Sequence, residues 1–232
     1  MNLSKRIART AVSVASAIAT LAIAPVALAV PVGTTYSYAL SVSQPAAGLP
    51  GTSYGTVTLT QGLNEVDVNV TLASGFLFAN TGVGGQFAFN LDQAFSNATV
   101  TLDAATAANF VLGPLNSYNM TPYGVFTDAL LFKSSIGTGL SGQIGTPLNF
   151  SVAQTGISLD AFSTSTERNH GQPGGYNFAA DLGFAATGKT GGVGSGSQVT
   201  ITPPKGNPVP EPMTLTLLGL GLGGIALSRR RK

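Results

Sequence analysis

Gly183-Phe184-Ala185-Ala186-Thr187-Gly188-Lys189-Thr190 has the G-x-x-x-x-G-K-T spacing in which backbone amides cradle phosphates and a lysine neutralises them. That chemistry also needs a helix whose N-terminus meets the phosphates, and the following Gly191-Gly192-Val193-Gly194-Ser195-Gly196 is a poor helix former. The octapeptide is read as a chance match, with no nucleotide bound. The single histidine, His170, sits in the loop-like run 167–175. A Ser-His-Asp relay is defined by geometry and not by order, but no G-x-S-x-G elbow accompanies it, and Glu167 with His170 falls short of a metal ligand set. Asp92, Asp103, Asp128, Asp160 and Asp181 are scattered singly, without the D-x-D-x-D loop of a calcium site; such residues are expected at turns and caps. Glu65 and Asp67 share one strand face, the minimum for paired-carboxylate chemistry, and are read as solvated surface. Thr56, Thr58 and Thr60 form a T-x-T row of the kind a flat ice-binding face requires, but a single row is too small for that. No catalytic residue, metal or cofactor is assigned, and the body is read as non-enzymatic.

The remaining chemistry is at the ends. Pro208, Pro210 and Pro212 lack amide hydrogens and fix their own backbone angles, so the stretch 207–212 is expected to be an extended strip suited to a processing enzyme. Sixteen uncharged residues, 213–228, follow; as a helix they reach about 24 Å, a marginal span for a hydrocarbon core of about 30 Å. Arg229, Arg230, Arg231 and Lys232 close the chain, and such a cluster stays cytoplasmic, leaving the body outside. At the other end Lys5, Arg6 and Arg9 precede the uncharged stretch 10–24, and Ala27-Leu28-Ala29 supplies the A-x-A arrangement that signal peptidase accepts. The mature protein is expected to begin near Val30.

Val209-Pro210-Glu211-Pro212, the Gly/Leu-rich segment and the basic end together resemble the PEP-CTERM sorting signal of Gram-negative bacteria. The resemblance rests on Pro210, Glu211 and Pro212 and covers about a tenth of the chain. It implies recognition by an exosortase, transient membrane anchoring, and release to the cell surface or an exopolysaccharide matrix. The same tail is also catalogued as an ice-binding protein's C-terminal domain, a label for the tail and not for an activity.

Seven of the eleven basic residues lie in these ends, so residues 30–208 carry four bases against eight acids, a formal net of −4. The basic pI of the whole chain therefore does not mark a nucleic-acid binder. There is no cysteine, which excludes disulfides and thiolate metal sites; a body of this length buries a core without them.

Residues 56–60 and 66–72 alternate polar and apolar with period two, and Gln61-Gly62-Leu63-Asn64 between them reads as a hairpin connection. Further strands are expected at 34–42, 76–78, 86–91, 98–102, 125–132, 148–153, 156–162, 176–182 and 198–202, with a two-turn helix at 103–110. Phe76 with Phe78 and Phe87 with Phe89 are assigned to the core. Ten or eleven short antiparallel strands fit an all-β sandwich or jelly roll. The expected organisation is a signal peptide at 1–29, a β-rich exported domain at 30–182, a Gly/Pro-rich linker at 183–208, and the sorting and anchor segment, with its single transmembrane helix, at 209–232. The alternatives to a structural surface protein are a sugar- or ice-binding module and a polysaccharide hydrolase or lyase.

Overall fold

The computed structural model describes residues 30–204 except 44–46, 82–83, 116, 138, 146 and 167–173, with backbone only at 139–143 and 197–199. Ala27, Ala29, Glu167, His170, the sorting residues Pro210, Glu211 and Pro212, the proposed span 213–228, and Arg229, Arg230, Arg231 and Lys232 lie outside the described residues. Among the described residues no helix is long and apolar enough to cross a membrane.

In chain order the strands are β1 (Thr35–Ser43), β2 (Gly55–Gln61), β3 (Glu65–Leu72), β4 (Phe76–Asn80), β5 (Phe87–Leu91), β6 (Thr99–Leu102), β7 (Phe110–Leu112) and β8 (Tyr118–Asn119). They continue as β9 (Val125–Phe126), β10 (Asp128–Phe132), β11 (Gly139–Ile144), β12 (Leu148–Ala153), β13 (Phe162–Ser163), β14 (Phe178–Phe184) and β15 (Lys189–Thr202). One helix, α1 (Ala104–Asn109), lies between β6 and β7.

The alternation read from the sequence decides which way β2 and β3 face. Val57, Leu59, Val66, Val68 and Val70 are buried, while Thr56, Asp67, Asn69 and Thr71 are exposed. Asn64 closes the hairpin at φ 57°, a left-handed conformation that asparagine tolerates, and Gly62 N–H donates to Glu65 O at 2.8 Å. Asp103 caps α1, its side chain accepting from Thr106 N–H at 2.6 Å; four of the next five residues are alanine, the best helix former.

The pairing path runs β6-β12-β3-β2-β1-β15-β14-β5-β10-β7 through a 13-stranded sheet, and β8 pairs with β9 separately. The named pairings are antiparallel. The expected antiparallel all-β class is what forms. Its layers are the two halves of one curling sheet, a nearly closed barrel or sandwich, in line with the sandwich or jelly roll expected from the sequence. The end strands β6 and β7 are neighbours in sequence joined by α1, so the helix spans the open seam. Inner faces meet through aromatic rings: Phe150 of β12 contacts Phe87 and Phe89 of β5 at 6.2 and 5.2 Å between centroids, and Tyr38 of β1 meets Phe178 of β14 edge-on at 5.0 Å. Burying each such ring contributes about 1.5–3 kcal/mol, and the core assignment of Phe76, Phe78, Phe87 and Phe89 holds.

A second apolar cluster lies on the outer face of β5, β10 and β14, where Ala88, Ala129 and Ala179 meet Tyr118, Met120, Tyr123 and Phe126 from the β8–β9 hairpin. These strands are buried on both faces, and the small residues leave room for the covering layer. The same layer overturns the linker at 183–208. β14 runs on to Phe184, and the glycine-rich stretch, far from being a spacer, is β15, hydrogen-bonded between β1 and β14. Glycine is needed there because Tyr123 lies flat on the strand: a Cβ on Gly194 would stand 2.5 Å from the ring, and one on Gly192 3.0 Å. Aromatic rings covering backbone replace the side chains that glycine lacks. The globular body thus extends to Thr202.

Two smaller expectations also change. Residues 156–162 form a turn and a 3-10 turn at Leu159–Ala161, because buried Gln61 accepts from Leu159 N–H at 3.1 Å and donates to Ile157 O at 3.2 Å, replacing ladder bonds. The stretch 125–132 breaks into β9 and β10 at Thr127, whose N–H donates to Asn90 Oδ1 at 2.6 Å.

Candidate functional site

On the outer face of β6-β12-β3-β2-β1-β15 polar side chains fall into register across the strands. One row runs Thr101, Ser151, Asp67, Thr60, Thr35, Thr202, each opposite the next. The next runs Asn149, Asn69, Thr58, Ser37, Thr200. All eleven are exposed or half-buried. The Thr56-Thr58-Thr60 row, too small alone, is therefore one strand of a two-dimensional array whose period is about 4.8 Å across strands and about 6.8 Å along them.

The β3–β12–β6 end of this face is a groove of about 350 Å³, with Asp67, Asn69, Thr101, Asp103, Asn149 and Ser151 among its lining. Its side chains are ordered by one another. Asn69 Nδ2 donates to Asn149 Oδ1 at 2.5 Å, Asn149 Nδ2 donates to Asp103 Oδ2 at 3.2 Å, and Thr71 Oγ1 donates to Asn69 Oδ1 at 2.9 Å. Asp103 is held below its usual pKa mainly by its hydrogen bonds from Thr106, so it stays ionised at neutral pH. A second shallow depression on the same face is lined by Ser37, Ala39, Thr56 and Thr200. The arrangement can donate and accept many weak hydrogen bonds; it holds no positioned nucleophile and base.

The other acids are dispersed. Asp181 is fully buried in β14 at the fork where that strand leaves β5 for β4, and its Oδ2 accepts from Thr81 N–H at 2.8 Å and Thr81 Oγ1 at 2.6 Å. Its Oδ1 has no partner among the described residues, and burial pushes its pKa up to about 6. Asp128, buried in β10, is also raised by desolvation. Neither sits at a turn, so the expectation of turn and cap roles holds for Asp103 alone of these three. No group of three or more His, Cys, Asp or Glu placed to hold a metal occurs among the described residues. The phosphate-loop lookalike is the β14–β15 hairpin: Gly188 has φ 68° in the turn, and Lys189 and Thr190 open a strand where a phosphate site needs a helix.

The one comparison that identifies a segment of known purpose falls on the tail, where a family model described as the PEP-CTERM protein-sorting motif matches residues 208–232. The tail is a PEP-CTERM sorting motif. It begins six residues after β15 ends at Thr202, so the PEP-CTERM segment follows almost directly on the closed body. The motif assigns the chain to the exosortase export route, with an exosortase as partner. No curated protein and no solved structure matches the chain. The sequence pointed to this tail directly. It did not point to Asn149, Ser37 or Thr200 as neighbours of Asn69 and Thr58, because side chains 80 residues apart meet only through strand register.

Proposed function

We propose that the chain is a non-enzymatic cell-surface or exopolysaccharide-matrix protein of a Gram-negative bacterium, delivered as a membrane-anchored precursor. Signal peptidase cuts after Ala29, following the Ala27-Leu28-Ala29 arrangement. Residues 213–228 then hold the precursor in the membrane, with Arg229, Arg230, Arg231 and Lys232 on the cytoplasmic side. Exosortase recognises Pro210, Glu211 and Pro212 in extended conformation and releases the body. The observation that carries this reading is the PEP-CTERM match at 208–232, joined by a short segment to a β-body that is complete at Thr202. The body supplies a stable acidic module with a solvent-facing polar array and no assembled catalytic constellation among the described residues.

The test replaces Pro210, Glu211 and Pro212 together by alanine and follows the protein in membrane and surface fractions of the producing cell. Full-length chain is expected to accumulate in the membrane. Unchanged processing and release would remove the sorting proposal.

A further inference from the structure

We infer that the outer face of β6-β12-β3-β2-β1-β15 binds a neutral polysaccharide along the groove walled by Asp67, Asn69, Asp103 and Asn149. The inference deepens the surface-protein reading above by naming a ligand class, yet its test needs no sorting step. Three properties of the face select the ligand. The first is hydrogen-bond chemistry. Sugar hydroxyls both donate and accept, and the face offers both kinds of partner: hydroxyls from Ser37, Thr58, Thr60, Thr101 and Ser151, amides from Asn69 and Asn149, and acceptor oxygens from Asp67 and Asp103.

The second is preorganisation. Asn69, Asn149 and Asp103 are chained by hydrogen bonds and fixed by the α1 cap, since Asp103 accepts from Thr106 N–H and Thr106 Oγ1 accepts from Asn149 N–H at 2.8 Å. Side chains already ordered lose less entropy when a ligand arrives. The third is charge. Two carboxylates line the groove and no lysine or arginine is among its lining residues, so anionic polymers and nucleic acids are repelled. An ice surface is a poorer fit, because the groove is concave and its carboxylates and amide chain break the uniform hydroxyl-methyl pattern a flat lattice needs. The array extends six strands, about 24 Å from first to last, long enough for several consecutive sugar units. Each contact is weak, so the length of the array sets the affinity.

Affinity electrophoresis and isothermal titration of the purified full chain in mild detergent, against a panel of soluble neutral polysaccharides (glucans, mannans, galactans) and acidic ones (alginate, hyaluronan), test the inference. At least one neutral polymer should retard the protein and the acidic ones should not. Paired Asn69→Ala and Asn149→Ala substitutions should weaken binding about tenfold, the loss of roughly two hydrogen bonds. Thr58→Arg should obstruct the face and do the same by bulk. Ala186→Arg, on the β14–β15 turn, should bind as the unaltered chain does, and far-ultraviolet circular dichroism should show every variant folded. The inference is overturned by a folded chain that no neutral polymer retards, by retardation that Asn69→Ala/Asn149→Ala and Thr58→Arg leave unchanged, by preference for the acidic polymers, or by thermal hysteresis without glycan binding. An exosortase-site variant that stays in the membrane but still binds glycan separates this inference from the sorting proposal.

Discussion

Replacing Gly194 by alanine adds one methyl group at the place where the sequence is least like a strand and the structure makes it one. The added Cβ would lie 2.5 and 2.9 Å from two carbons of the Tyr123 ring and 2.9 Å from Tyr176 Cδ1. Those rings cannot step aside freely. They meet edge-on at 5.2 Å, Tyr123 is fully buried, and its hydroxyl donates to Gly192 O at 2.8 Å. Overpacking of this kind costs about 1–3 kcal/mol, and displacing the ring also endangers a hydrogen bond of about 1 kcal/mol. Against this, Gly194 does not have positive φ, so alanine fits its backbone and restricts the unfolded chain, offsetting about 0.4–1 kcal/mol. The net expectation is a loss of about 2–3 kcal/mol, a large share of a stability of about 5–15 kcal/mol. Gly192→Ala, whose Cβ would stand 3.0 Å from the ring, should lose less. Urea unfolding followed by tyrosine fluorescence, the natural probe in a chain with six tyrosines and no tryptophan, measures both. If Gly194→Ala is neutral or stabilising, or ranks below Gly192→Ala, then β15 is not covered by Tyr123 and the body ends where the sequence alone suggested.

Asp181 ties stability to pH. Its folded pKa of about 6 lies above the 3.8 of the unfolded chain, so its contribution is fully present below pH 3.8 and is lost as pH rises through about 6, a change of up to about 3 kcal/mol. Asp181→Asn should therefore be more stable than the unaltered chain at pH 7 and lose that part of the slope; equal slopes in urea titrations at pH 4 to 7 would contradict it. Asp103→Ala should cost about 1 kcal/mol through loss of the α1 cap, with Asp103→Asn close to neutral, read as the shift in thermal midpoint. Gln61→Ala leaves Leu159 N–H and Ile157 O without their buried partner and should cost about 2–3 kcal/mol, with faster amide exchange at Leu159 as its local signature.

Period-two patterning made β2 and β3 readable because each has one wet face and one dry face. The same rule fails where both faces are buried. Along β14, Phe178, Ala179, Ala180, Asp181 and Leu182 are all buried, and along β15 glycine stands where a covering ring replaces side chains, so the local signal was that of a linker. Tyr123 is 69 residues from Gly192, the nearer in sequence of the two glycines it covers, and no local window holds both. Buried Gln61 and Asn90 broke two expected strands for a related reason: a side-chain amide with distant partners outcompetes the ladder. The PEP-CTERM tail was legible because its meaning lies in contiguous residues, whereas the polar array exists only once six strands are aligned.

Mass spectrometry of the protein recovered from the cell surface reads both processing cuts at once. An N-terminus at Val30 and a C-terminus at or before Pro212, with residues 213–232 missing, is the predicted result. A chain recovered intact from the cytosol, still ending Arg229-Arg230-Arg231-Lys232, would contradict it.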